Sequence, residues 1–208
     1  PPIWCPSQGS LETIDWAAHP SRKYPYLQAY SAFDSVMRYL DRYREVAESK
    51  YGYVADSSQI GWSLMCYVAE TDQQAIDEAR PHIEAMFNVY LPKISQMMFS
   101  PPGYFSSSTM KQIFAHKRTS QRGNQTIENL IASGVMVCGS PDTVRRKLIE
   151  CHQKAGFGNL LVMPQYGTMP ADLTEKNIRL FASEVLPALQ ALPESNYRGF
   201  ALKATAAE

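Results

Sequence analysis

The 208-residue chain has no surplus of charge: 20 Lys and Arg balance 20 Asp and Glu. Domains held to nucleic acid through phosphates are usually basic. Neutrality therefore argues against nucleic acid as a partner, and gives no reason to expect an anionic membrane surface. No stretch approaches the roughly 20 continuous apolar residues of a membrane span, and no charged-then-apolar leader opens the chain. Cysteine is sparse. Cys5, Cys66, Cys138 and Cys151 lie far apart and form no CxxC pair, which reads as reduced thiols in a cytoplasmic protein. The four histidines show no HxH or HExxH spacing, so a metal hydrolase is disfavoured and no metal site is expected. Neither a GxSxG nucleophile elbow nor a GxGxxG dinucleotide fingerprint occurs.

What is present is alternation. The chain opens Pro1-Pro2-Ile3-Trp4 without Met, which reads as a strand met in mid-fold, from a fragment or a processed N-terminus. A strand at Ile3 to Cys5 leads to a helix over Leu11 to Ala18. A second strand covers Tyr24 to Ala29, weakened by Pro25. Phe33, Val36, Met37, Leu40 and Tyr43 are spaced by 3 and 4, a helix that Gly52 closes. Ile60 to Ala69 is the clearest strand. Thr71 with Gln74 predicts a capping box for a helix running towards Leu91, kinked at Pro81. Residues 94–124 lose periodicity, and a stretch of that length is usually functional or disordered. A helix near Ile127 to Ala132 follows, then a short apolar run over Val135 to Cys138. Ser140-Pro141-Asp142 then predicts a helix start, with N-cap, first-position Pro and first-turn Asp. That helix runs to Gly156. Leu160 to Met163 is a buried-type strand, and Asp172 or Thr174 caps a last helix. Residues 194–208 read as a flexible tail.

Strands alternating with helices predict an α/β fold with parallel strands. Two architectures fit: an open doubly wound sheet, or part of a (β/α)8 barrel. Four strand–helix units are half of a barrel, which typically needs about 250 residues.

Three stretches carry candidate chemistry. Ser7-Gln8-Gly9-Ser10-Leu11-Glu12-Thr13 joins a strand end to a helix start, where unpaired N–H groups and the helix dipole favour an anion. Gly9 allows close approach, and the hydroxyls of Ser10 and Thr13 share one face of the first turn. Simple N-capping by Ser7 or Ser10 is the plain alternative. The 94–124 segment could close over a substrate, with Tyr104 and Phe105 as aromatic contacts and Lys111, His116, Lys117, Arg118 and Arg122 making it basic; a solvated excursion would look the same. Met163-Pro164-Gln165-Tyr166-Gly167 follows the last strand, where parallel α/β folds meet their ligands. Gln165 offers donor and acceptor and Tyr166 an aromatic face, unless the turn merely leads into the next helix.

In combination these stretches resemble the luciferase-like flavin-dependent monooxygenases. The motifs are Gly139-Ser140-Pro141 with Val144, then Met163-Pro164-Gln165-Tyr166-Gly167, then Phe181-Ala182 with Glu184-Val185 and Pro187. Gly9-Ser10 with Thr13 and Trp16-Ala17-Ala18, and Tyr67 to Asp72 with Ala75, add to them. The resemblance spans roughly residues 2–190. It implies a partial (β/α)8 TIM barrel, strands five to eight with their helices over residues 1–193, and a lid-like insertion at 94–124 after the third strand present. It implies reduced FMN as cofactor, with F420 as the alternative, and phosphate contacts at Gly9, Ser10 and Thr13, less firmly at Ser7 and Gln8. O2 and a small or medium organic molecule would be substrates. A flavin reductase would supply the reduced cofactor, and the full-length protein would be a homo-oligomer. The first four strands of the family barrel are missing. The site is therefore expected to be incomplete, the isolated chain inactive, and no catalytic acid or base can be assigned. A non-catalytic half-barrel subunit or assembly module is the alternative from another class, and a self-contained α/β binding domain is a third.

Overall fold

The computed structural model describes residues 3–94, 111, 125–195 and 197. Five parallel strands form one sheet: β1 (Cys5–Ser7), β2 (Tyr26–Ala29), β3 (Ile60–Val68), β4 (Met136–Gly139) and β5 (Asn159–Met163). Helices α1 (Leu11–Ala18), α2 (Phe33–Glu45), α3 (Asp72–Ala85), α4 (Ile127–Ala132), α5 (Pro141–Ala155), α6 (Ala171–Leu180) and α7 (Leu186–Gln190) connect and follow them. The expected alternation is present.

β3 organises the sheet. Its nine residues are all buried, as a strand covered on both faces requires. Successive residues of a strand direct their backbone groups to opposite edges. The Ser63 carbonyl accepts from Tyr30 N–H beyond β2, and Ala69 N–H donates to Gly139 of β4. Both are odd-numbered, so β2 and β4 lie end to end along one edge of β3. Ile60, even-numbered, accepts from Gly158 beside β5, so β5 takes the other edge. The lateral order is β1-β2-β3-β5, the four strands expected, and β4 is a short addition.

Side chains divide by the same alternation. Ile60, Trp62, Leu64, Cys66 and Val68 pack with Ile14 of α1, Val36 and Leu40 of α2, and Val144 and Leu148 of α5. Met65 and Tyr67 point the other way and pack with Ala75, Ala79 and Ile83 of α3 and Ile127 and Leu130 of α4. Cys66 and Cys138 fall in these two separate clusters, and all four cysteines are free and buried.

Several local expectations are corrected. Pairing of β1 starts at Cys5, whose N–H donates to the Pro25 carbonyl, so the strand runs to Ser7 and not from Ile3. Thr71 caps α3 by accepting from Gln74 N–H, but the Gln74 side chain turns to Glu78. Pro81 does not end α3 early: the helix continues to Ala85 and widens into a π turn over Met86–Tyr90. Neither Asp172 nor Thr174 caps α6: Pro170 is its N-cap, and the Thr174 hydroxyl donates to the Pro170 carbonyl. Tyr197 lies over the Arg44 guanidinium and hydrogen bonds Asp41; the rest of the expected tail beyond 195 is outside the described residues. Ser140 and Pro141 start α5 as expected, and Gly156 ends it at φ +62°.

Candidate functional site

Parallel strands bring all their carboxyl ends to one side of the sheet. Two of the three candidate stretches stand there. Ser7 ends β1, and its hydroxyl accepts from Gly9 N–H at 3.1 Å and Ser10 N–H at 3.0 Å. Gly9 sits at φ +109°, and a Cβ there would run into the Tyr39 ring. Its glycine is therefore required by conformation and by close approach together. Ser10 is the N-cap of α1: it accepts from Thr13 N–H at 3.1 Å and donates to Glu12 Oε2 at 3.0 Å.

The arrangement sorts the expected phosphate residues. Gly9 and Ser10 have their amides committed to Ser7, so Ser7 is a brace. Gln8 is exposed. At the first turn Ser10 is buried, its hydroxyl on Thr13 N–H and Glu12, Thr13 is half-buried and Leu11 exposed, and the first N–H groups of a helix have no acceptor within it. This donor set suits a phosphate, and the helix dipole adds to it. The Glu12 carboxylate opposes it and must turn away for a second anion to bind.

At the far side of the sheet, three strand spacings or about 14 Å away, the turn after β5 separates its two candidates. Gln165 is exposed beside a shallow groove shared with Met169, Thr174 and Ile178. Tyr166 is only 2% exposed and packs in the core with Met65, Tyr67 and Met169. Its hydroxyl has no hydrogen-bond partner among the described residues, and burial pushes its phenol well above the ordinary range. Gly167, at φ +59°, packs on the His82 carbonyl. Tyr104 and Phe105 lie outside the described residues.

Two features escaped sequence reasoning. Arg38 stands 5.1 Å from the centre of the Tyr39 ring, the ring that lies against Gly9, and donates to the Ser35 hydroxyl on its own helix. Asn177 is 1% exposed. It accepts from Val68 N–H at 2.8 Å and donates to the carbonyls of Cys66 and Pro164 at 2.9 and 2.8 Å, replacing a strand where β5 has ended. Both residues looked like ordinary polar positions on helices; only contact across the fold distinguishes them. Among the described residues no group of His, Cys, Asp and Glu could hold a metal ion, and no helix is long and apolar enough to cross a membrane.

The family model described as luciferase-like monooxygenase matches residues 1–158. The chain belongs to the luciferase-like monooxygenase family. This segment contains β1, the α1 loop and the sheet as far as α5. No curated protein sequence matches significantly. Among solved structures, the fold is similar to the oxygenating constituent of 3,6-diketocamphane monooxygenase from Pseudomonas putida, in complex with FMN. The TM-score is 0.62 at 21% identity, over 89% of this chain and 48% of that one. EDTA monooxygenase from Chelativorans sp. BNC1 gives 0.61 at 16% identity, over 99% and 49%. The coenzyme F420-dependent tetrahydromethanopterin reductase of Methanopyrus kandleri gives 0.51 at 16%, over 90% and 51%. The luciferase-like chain thus spans about half the length of the structures it matches.

Proposed function

We propose that this chain is the carboxyl-terminal half of a flavin-dependent monooxygenase that uses reduced FMN and O2 on a small or medium organic substrate. β1, β2, β3 and β5 would be strands five to eight of a (β/α)8 barrel. The observation that carries the cofactor reading is the first turn of α1: two hydroxyls, Ser10 and Thr13, at a helix N-terminus on the carboxyl end of a parallel strand, inside the segment that the family model matches. Phosphates are held at such termini by N–H groups and dipole together.

In this reading the Ser10 and Thr13 hydroxyls, once Glu12 has turned from Ser10, hold the flavin phosphate at the start of α1, while Ser7 and Gly9 fix the loop. The bound flavin supplies the oxygen chemistry, and the protein supplies position and dryness. Gln165, with donor and acceptor on one exposed amide, orients the substrate at the opposite end of the sheet. Tyr166 holds the turn that presents Gln165. Tyr104 and Phe105 are assigned to a lid over the substrate from their sequence context. A separate flavin reductase delivers reduced FMN, and the full-length protein is a homo-oligomer. An F420-dependent oxidoreductase is the second reading, supported by the fold likeness to the Methanopyrus kandleri reductase.

Titration of full-length protein with FMN, followed by fluorescence quenching, tests the assignment. Ser10→Ala with Thr13→Ala should weaken binding about tenfold or more, as the loss of two hydrogen bonds to a charged group implies. An unchanged affinity would remove the phosphate site from α1. Tight binding of F420 with none of FMN would select the second reading.

A further inference from the structure

Tyr30 holds a strained backbone at the carboxyl end of the sheet. It follows the last residue of β2 and sits at φ +48°, a conformation that a bulky side chain disfavours and that asparagine tolerates. Lys23 is the other described non-glycine residue at positive φ, and it closes the turn after α1 with its N–H on the His19 carbonyl. Tyr30 reaches much further. Its N–H donates to the Ser63 carbonyl on one edge of β3. Its hydroxyl donates to Met163 Sδ, 3.6 Å away at the end of β5 on the other edge. The side chain therefore bridges over β3.

The face it crosses can be read from the register. Ser63 pairs with Ala29 and Leu161, and Met65 with Met163. Residues in register, and residues two apart on one strand, share a face, and Met163 packs against the cluster that contains Met65. Ala29, Ser63, Leu161 and Met163 thus lie on one face. Ala29 and Ser63 are small, whereas Tyr30 and Leu161 remain 45% and 49% exposed. Gly61, two residues before Ser63, leaves room for Trp4, whose Cζ3 would stand 3.2 Å from a Cβ there. Two aromatic side chains therefore flank a stretch of sheet floored by small residues. Strained backbone that carries an exposed ring is a mark of functional sites.

We propose that Tyr30 is a specificity-determining residue for the substrate, and that the substrate class it selects is a flat, largely apolar ring. A rigid aromatic side chain favours a second ring by offset or edge contact beyond the area buried, and a thioether such as Met163 favours ring edges as well. An alkyl chain gains the area term alone. Met163 begins the turn that carries Gln165, so the ring contact is continuous with the exposed amide. The assignment to substrate rests on the reading of that turn as the substrate end of a flavin enzyme. The preference for a ring rests on Tyr30 and Met163.

Indole, a flat ring, and 1-octanol, a chain, are titrated into the full-length protein with and without FMN. Tyr30→Asn should weaken indole about fivefold and 1-octanol by less than about twofold. Asparagine accepts the positive φ, so the urea midpoint should stay within about 0.5 M of the parent. Tyr30→Phe keeps the ring and should hold indole within about twofold of the parent. A parent that does not bind indole, equal losses for indole and 1-octanol, or a loss in Tyr30→Phe as large as in Tyr30→Asn overturns the proposal. A larger fall in the urea midpoint of Tyr30→Asn marks a packing residue and overturns it too. Weakened FMN with unchanged indole in Tyr30→Asn gives the ring to the cofactor, again against the proposal. A parent that binds indole through Tyr30 but binds no FMN ends the cofactor reading and leaves the ring preference standing.

Discussion

Tyr166 shows how little a residue's type says about its use. It follows an exposed Gln165 in a turn at the carboxyl end of a parallel sheet, yet its ring is in the core and its hydroxyl has no hydrogen-bond partner among the described residues. A buried hydroxyl without a hydrogen bond costs about 1–3 kcal/mol. Tyr166→Phe should therefore keep or raise stability, by about 1 kcal/mol, with an unchanged slope in urea unfolding. A loss of 1 kcal/mol or more would mean that the hydroxyl has a partner, and would return Tyr166 to the candidate site. Ser10 is the opposite case. Its place as helix N-cap was one of the readings the sequence left open, since serine is a favoured N-cap and Ser7 and Ser10 both precede the helix. Ser7, the other cap the sequence offered, accepts from the amides of Gly9 and Ser10, contacts that its place in the sequence did not specify.

At the scale of elements, the joints carry the stability. Asn177 substitutes for a missing length of strand by engaging three backbone groups of β3 and the β5 turn. Asn177→Leu would leave these groups buried without partners, and should cost about 3 kcal/mol in urea unfolding; a cost below 1 kcal/mol would show that water replaces it. A second joint locks α3 to α5. Asp72 accepts from Ser140 N–H at 2.6 Å and the Thr143 hydroxyl at 3.1 Å. The Ser140 amide foremost, then the hydroxyls of Ser140 and Thr143 and the Arg146 charge, hold its carboxyl below the usual aspartate value, against some desolvation. A carboxyl depressed in the folded state contributes stability above its unfolded pKa and loses it as pH falls through the folded value. The difference in unfolding midpoint between the parent and Asp72→Asn should hold from pH 7 to about 5 and shrink below about 4. A difference constant down to pH 3 would exclude this role. The order of elements was legible because β3 is a long apolar run and the α2 and α5 helices keep a 3.6-residue period. Element ends were less so: Pro81 was taken by an unbroken helix, and β4 is four residues whose identity as a strand depends on β3 beside it.

At the scale of the whole molecule, the sheet has two outer strands of different character. β1 is three residues long with Pro6 at its centre, a residue without an N–H. β5 exposes Leu161 to 49%. In the proposed half-barrel these two strands would be the edges that further strands cover; the chain itself belongs to the luciferase-like monooxygenase family and spans about half the length of the two monooxygenase structures named above. Composition and spacing could reach parallel α/β and no further; an open sheet and half a barrel share one alternation of strand and helix, and only the family motifs separated them. The most direct measurement is a crystal structure of the full-length protein with FMN bound. The phosphate should lie within hydrogen-bond reach of the Ser10 and Thr13 hydroxyls, with Glu12 turned away and Ser7 still accepting from Gly9 and Ser10. A flavin whose phosphate sits elsewhere, with the first turn of α1 unchanged and Glu12 still on Ser10, would contradict the account.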